Sequence, residues 1–343
     1  MAENQPHSNR KRRRRTKLPA EYIDGILAAD RTILAQAITL VESQSTKHFA
    51  SSQEILQNIM PYTGQSIRIG FTGVPGAGKS TLIEALGILL CEKGYNVAVL
   101  AVDPSSTVSK GSILGDKTRM EKLSKHPSAF VRPSPSSGTL GGVARKSRET
   151  LLLCEAAGFD VIIVETVGVG QSETVVRSMV DCFIVLLLTG AGDELQGMKK
   201  GVMEIADALY INKADGPNYE EALKARAEYN RLLHFLQPAT KDWTTSAQIV
   251  SALTGTGIDE MWDLIRKFET TVKANGVWEE RRQRQMVEWM ESLIEESLLQ
   301  HFFGNEEIRS KFPVKKNEVT EGQLPPAQAA QQLLDLYFKM FHS

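Results

Sequence analysis

Gly73-Val74-Pro75-Gly76-Ala77-Gly78-Lys79-Ser80-Thr81 is the stretch from which the rest of this sequence is read. It fills every fixed position of G-x-x-x-x-G-K-[ST], a phosphate-binding loop. Before it, Ser66-Ile67-Arg68-Ile69-Gly70-Phe71-Thr72 alternates polar and apolar residues as a strand does; after it, Thr81 to Leu90 is apolar at helical spacing. A glycine-rich turn in that position lets the backbone N–H groups of residues 76–81 face phosphate oxygens, because no Cβ blocks positive φ or close approach. The following helix contributes its positive N-terminal end. Lys79 is expected at the β- and γ-phosphates of a nucleotide, and the Ser80 hydroxyl at Mg²⁺.

Working outward, strands and helices alternate. Asn96–Val102, Ala129–Arg132, Val161–Val164, Cys182–Leu188, Ala208–Ile211 and Ala247–Val250 read as strands, with a helix within Gly141–Ala157. Apolar strands separated by helices predict an α/β fold, a P-loop NTPase with a mostly parallel sheet covered by helices on both faces. Ligands of such sheets bind at the carboxyl ends of the strands. The expected organisation is a basic tail over 1–16, read as disordered, then a helical extension over 17–62 and a nucleotide domain over 63–272. A helical C-terminal extension, read as a dimerisation arm, covers 273–343. Ser51-Ser52-Gln53-Glu54 resembles a capping box opening a helix, and Phe312-Pro313 to Pro325-Pro326 reads as a connection. Met286, Trp289, Met290, Leu293, Ile294 and Leu298 form a helical stripe, as do Ala330, Leu333, Leu334, Tyr337, Phe338 and Phe341. Periodicity alone does not separate a protomer core from a dimer face.

The chain has 343 residues and a net charge of −1, so no global field argues for nucleic acid. No apolar run is long enough to span a bilayer. Cys91, Cys154 and Cys182 stand apart among apolar residues, which argues against a disulfide framework and for a reducing cytoplasm. The basic run Arg10–Arg15 could meet RNA, a membrane surface or a partner's acidic patch, and reads first as a solvated tail.

The remaining motifs all follow strands. Asn212-Lys213-Ala214-Asp215 reads guanine: the Asp215 carboxylate accepts from N1–H and the 2-amino group, donors that adenine lacks. Ser251-Ala252-Leu253 resembles the backbone element that contacts guanine O6. Glu165 ends the Val161–Val164 strand, placed to hold a Mg²⁺-bound water, and the Gly168 N–H to contact the γ-phosphate. Most GTPases place Asp at the Glu165 position, so an indirect contact with the metal is expected. Asp103 is a candidate for the water network or the outer shell of the metal, and Asp116 a second Mg²⁺-side candidate. Gly190–Gly201 is glycine-rich and charged, either a solvated loop or a switch.

Together these motifs, with Val102-Asp103-Pro104-Ser105-Ser106, Ile113-Leu114-Gly115-Asp116-Lys117-Thr118-Arg119-Met120 and Gly192-Asp193-Glu194-Leu195-Gln196-Gly197, resemble the MeaB/ArgK family over about residues 20–340. These are GTPases associated with methylmalonyl-CoA mutase, related to the human methylmalonic aciduria type A protein. The resemblance implies a SIMIBI-class P-loop GTPase with GTP or GDP and Mg²⁺, usually a homodimer. It implies a chaperone role for an adenosylcobalamin-dependent acyl-CoA mutase; from the charge and the apolar runs, no nucleic acid or membrane partner is expected. It implies that Asp103, Asp116 and Glu165 serve metal and water, with Lys79, Asp103 and Glu165 as the catalytic set, and that the Gly190–Lys200 loop is an additional switch. Three other readings compete. A nickel-insertion GTPase is disfavoured by six scattered histidines. A GTP-bound scaffold without turnover differs only in phosphate release. A ParA-like ATPase is disfavoured by the Asn212–Asp215 motif.

Overall fold

A computed structural model describes residues 17–43, 45–102, 120–132, 140–166, 172–190 and 200–340. The strand that feeds the phosphate loop, β1 (Ile67–Gly73), lies at the middle of the sheet. Its companions are β2 (Val97–Val102), β3 (Ala129–Arg132), β4 (Val161–Thr166), β5 (Cys182–Leu187), β6 (Ala208–Ile211) and β7 (Ser246–Ile249). Among the described residues they form one seven-stranded sheet in the order β3-β2-β4-β1-β5-β6-β7. Every pairing is parallel, as the apolar strand runs require. β4 and β5 flank β1, and the chain passes to opposite sides of it. That topological switch point opens a crevice at the carboxyl ends of the strands.

The helices are α1 (Pro19–Leu27), α2 (Arg31–Val41), α3 (Thr46–Ile59), α4 (Lys79–Glu92), α5 (Glu121–Lys125), α6 (Leu140–Ala156) and α7 (Ser172–Arg177). They continue as α8 (Lys200–Glu204), α9 (Tyr219–Leu233), α10 (Ile258–Ala274), α11 (Val277–Gly304), α12 (Glu306–Thr320) and α13 (Pro326–Lys339). Strand periodicity of two explains how they cover the sheet. Ile67, Ile69 and Phe71, with Val97, Val99, Val161, Ile163 and Ile184, face a core completed by α4, α5 and α10. The alternate residues face the other way. Gly70 there lies against Val176 and Phe183, and α6 packs on β2 and β4. α1, α2 and α3 pack in turn on α6. Arg68 of β1 ties that layer down: its Nε and Nη2 donate to both carboxylate oxygens of Glu155 on α6, at 2.8 and 2.9 Å.

The structure corrects two readings. Ser51–Glu54 opens no helix; it lies inside α3. Ser52 Oγ donates to the His48 carbonyl one turn back (2.8 Å), the bond open to a mid-helix serine whose N–H is already used. The Phe312–Pro326 segment is largely helix, with Pro313 inside α12. Proline removes one i→i−4 bond, and the lysines and glutamates around it keep enough helix propensity to carry the turn. A separate unit, Glu279–Ser343, contains α12, α13 and most of α11. Within it Tyr337 packs edge-on to Phe302, and Leu333 and Tyr337 are buried. Met290, Ile294, Leu298 and Phe338 are 52–62% exposed, so each helical stripe is only partly covered.

All three cysteines are free and buried. Gly73 has φ +152°, and a Cβ there would lie 2.4 Å from the Leu186 carbonyl oxygen on the neighbouring strand. Backbone cannot move aside within a paired sheet. Gly73→Ala is therefore expected to destabilise the fold by about 1–3 kcal/mol, measured by urea unfolding; unchanged stability would refute the close approach.

Candidate functional site

The loop between β1 and α4 has the geometry of an anion cradle. Gly76 and Gly78 adopt φ +81° and +85°, conformations that glycine reaches without strain. Gly78 is the N-cap of α4, and the first turn of that helix carries no acidic residue to oppose an anion. Ala77, in the loop, is buried, and Thr81, in the first turn of α4, is exposed. Lys79 is 8% exposed, and its Nζ donates to the carbonyls of Gly73 (2.7 Å) and Val74 (3.3 Å). The lysine is thus held across the loop by the loop's own backbone.

Two oxygen ligands of the kind Mg²⁺ takes meet beside it. Glu165, at the end of β4, is 6% exposed and accepts a hydrogen bond from Ser80 Oγ at 2.8 Å. A hydroxyl and a carboxylate at a phosphate loop suit an ion that keeps waters and phosphate oxygens as its other ligands. Beneath this pair, Thr166 Oγ1 donates to Thr72 Oγ1 (2.9 Å), joining β4 to β1 by a fully buried hydroxyl contact that the sequence did not flag.

The other half of the site is built on β6 and β7. Asn212 is 1% exposed and its amide is engaged within the protein. Nδ2 donates to the Ala77 carbonyl (2.7 Å) and Oδ1 accepts from the Ala252 N–H (3.4 Å). One side chain therefore joins the phosphate loop to the Ser251–Leu253 loop. Lys213 has φ +59°, a left-handed conformation uncommon for a residue with a Cβ. Its carbonyl accepts from Asn218 Nδ2 (2.7 Å), and Asn218 Oδ1 accepts from Thr189 at the end of β5. Asp215 Oδ2 accepts from the buried Ser251 hydroxyl, and Oδ1 has no hydrogen-bond partner among the described residues. Leu253 is exposed. The structure thus brings Lys79, Ser80 and Glu165 together, and separately Asn212, Lys213, Asp215, Ser251 and Ala252. Asp103, Asp116, Gly168 and residues 191–199 lie outside the described residues. Thr189 and Asn218 are additions that no motif marks; only the fold shows the contact between them.

A family model described as methylmalonyl Co-A mutase-associated GTPase MeaB matches residues 34–307. The chain belongs to the MeaB family. Similar curated proteins include GTPase ArgK of Escherichia coli, 51% identical over 92% of this chain and 95% of that protein. The mouse methylmalonic aciduria type A homolog, mitochondrial, is 45% identical over 91% of this chain and 78% of its own length. A crystal structure described as LAO/AO transport system kinase superposes with a TM-score of 0.75 at 44% identity, over 93% of this chain and 97% of that one. The fold and the guanine-type loop therefore occur in a chain of a GTPase family.

The joint at Asn212 makes a prediction. Asn212→Ala removes both links and leaves the Ala77 carbonyl without its donor. Affinity for GTP and for GDP is expected to fall together, by about tenfold or more, because neither link involves the γ-phosphate. Fluorescent-nucleotide titration measures both constants; a loss confined to GTP would contradict the joint.

Proposed function

We propose that this chain hydrolyses GTP with Mg²⁺, and that its nucleotide state gates the loading or protection of adenosylcobalamin in an acyl-CoA mutase, methylmalonyl-CoA mutase being the first candidate. The observation that carries the reading is the single assembly of phosphate loop, Ser80–Glu165 pair and Asn212-linked base loop within a chain of the mutase-associated family. Lys79 and the residue 76–81 amides would hold the phosphates, while Ser80 and Glu165 would hold the metal, Ser80 directly. Bound there, Mg²⁺ supplies charge neutralisation at the β- and γ-phosphates. Asp215 would accept from the guanine edge through Oδ1, with Lys213 alongside the base and the Ser251–Leu253 backbone at O6. Asp103 and Asp116 are assigned to the water and metal network, and Gly168 to sensing the γ-phosphate.

Loss of the γ-phosphate would release whatever contacts order the Gly168 and Gly190–Gly201 segments, a recognised switching mode. By linkage, a mutase that prefers one nucleotide state must also favour that state. The exposed Met290, Ile294 and Leu298 on α11 support a homodimer through the C-terminal extension. No helix among the described residues is long and apolar enough to cross a membrane. We assign the cytoplasm, with no nucleic acid or membrane partner.

Asp215→Asn is expected to shift preference from guanine toward xanthine nucleotides, because an amide donates where xanthine presents a carbonyl. Competition binding tests this, and equal affinity of the unsubstituted protein for ATP and GTP would remove the guanine assignment. For the gating role, purified mutase is expected to raise GTP turnover, and adenosylcobalamin transfer into apo-mutase is expected to differ among GTP, GDP and a non-hydrolysable analogue. Identical loading with all three would reject gating and leave the GTPase assignment intact.

A further inference from the structure

An open cleft of about 990 Å³ lies between the N-terminal helices and the end of β3, built from residues outside the nucleotide site. Its volume is that of a small-molecule site. Lys17, Arg31 and Arg132 line it, and none of its lining residues is a carboxylate. α2 supplies one wall. Its buried face carries Leu34, Ala37, Ile38 and Val41 toward the core. Thr32, Gln36 and Thr39, spaced at i, i+4 and i+7, face the cleft instead.

The charges in this cleft are poorly compensated by the protein. Arg31 Nη2 donates to the Ala129 carbonyl at 2.5 Å and Nη1 to the His126 carbonyl at 3.5 Å, both neutral backbone acceptors. Lys17 Nζ donates to the neutral amide oxygen of Gln36 at 2.9 Å. Arg132 alone has a carboxylate partner, Glu42, through Nη2. Arg132 Nε is buried and has no hydrogen-bond partner among the described residues. Three cations facing one negative charge favour a ligand carrying more than one charge. Guanidinium forks match phosphate oxygens in geometry as well as charge.

We infer that this cleft binds a small phosphate-bearing anion, at a site distinct from the phosphate loop. Arg31 and Arg132 would grip the phosphate, and Lys17 would add charge from α1's side of the cleft. The inference does not depend on the gating role or on the identity of the mutase.

The test uses the full chain saturated with Mg²⁺ and GDP, so that the phosphate loop is filled, and inorganic pyrophosphate as the probe in isothermal titration. One binding event is expected, weakening as salt rises. The double substitution Lys17→Gln, Arg31→Gln is expected to weaken it about tenfold or more while leaving GDP affinity unchanged. Arg31→Lys, which keeps the charge and loses the fork, is expected to fall between the two. Hydrogen exchange should show added protection at residues 31–43 and 129–132 on binding. No binding once GDP is bound, or binding indifferent to the double substitution, would overturn the site. Citrate binding as tightly as pyrophosphate would overturn its assignment to phosphate. If the double variant unfolds at a lower temperature, the Arg31→Lys titration and the exchange pattern of the unsubstituted protein still decide the matter.

Discussion

The hydrogen bond from Asn212 to the Ala77 carbonyl is the contact on which the two halves of the nucleotide site depend. It forms because the next residue is glycine: a Cβ on Gly78 would lie 2.6 Å from Asn212 Nδ2. The same glycine caps α4 in a left-handed conformation. One small residue therefore sets the helix start, the phosphate cradle and the approach of the base loop. Asn212 itself is positioned by the sheet, its N–H donating to the Leu187 carbonyl of β5 at 2.9 Å. The phosphate-loop motif and the Asn212–Asp215 motif are thereby mounted on one hydrogen-bonded frame, and both inherit the rigidity of a buried parallel sheet.

Sheet order supplies the rest of the site. With β4 and β5 on either side of β1, the end of β4 delivers Glu165 beside Ser80, and the end of β5 delivers Thr189 beside Asn218. The buried Thr72–Thr166 contact holds the end of β4 to β1, and the Arg68–Glu155 pair ties the start of β1 to α6. Such contacts contribute little net energy when intact, but breaking one partner away is costly, which makes them effective in specifying a single arrangement. Lys213 shows the same principle on the backbone: a left-handed residue persists because Asn218 holds its carbonyl.

Outside the sheet, the two helical additions differ in how they satisfy their surfaces. The N-terminal helices bury one face of α2 against the core and turn a polar, cationic face to solvent. The C-terminal unit buries Ala329, Leu333 and Tyr337 of α13 but leaves large apolar side chains on α11 and α13 in solvent.

Much of this was legible in the sequence, for reasons that are local. A phosphate loop works through backbone N–H groups and glycine conformations, so nine consecutive residues, Gly73–Thr81, declare it. Strand type followed from apolar runs, and β3 and β6 begin and end where their runs do. Local patterns also misled: the Ser51–Glu54 motif mimics a cap, and Pro313 mimics a break, because neither pattern records what the helix around it contributes. What only the tertiary structure decided are the long-range partners. Asn212 reaches Ala77 across 135 positions, Ser80 meets Glu165 across 85, and Thr189 meets Asn218 across 29. A motif fixes which groups are available. Which of them touch is set by strand order and by the close approaches that glycine permits, and neither is written in any short stretch of chain.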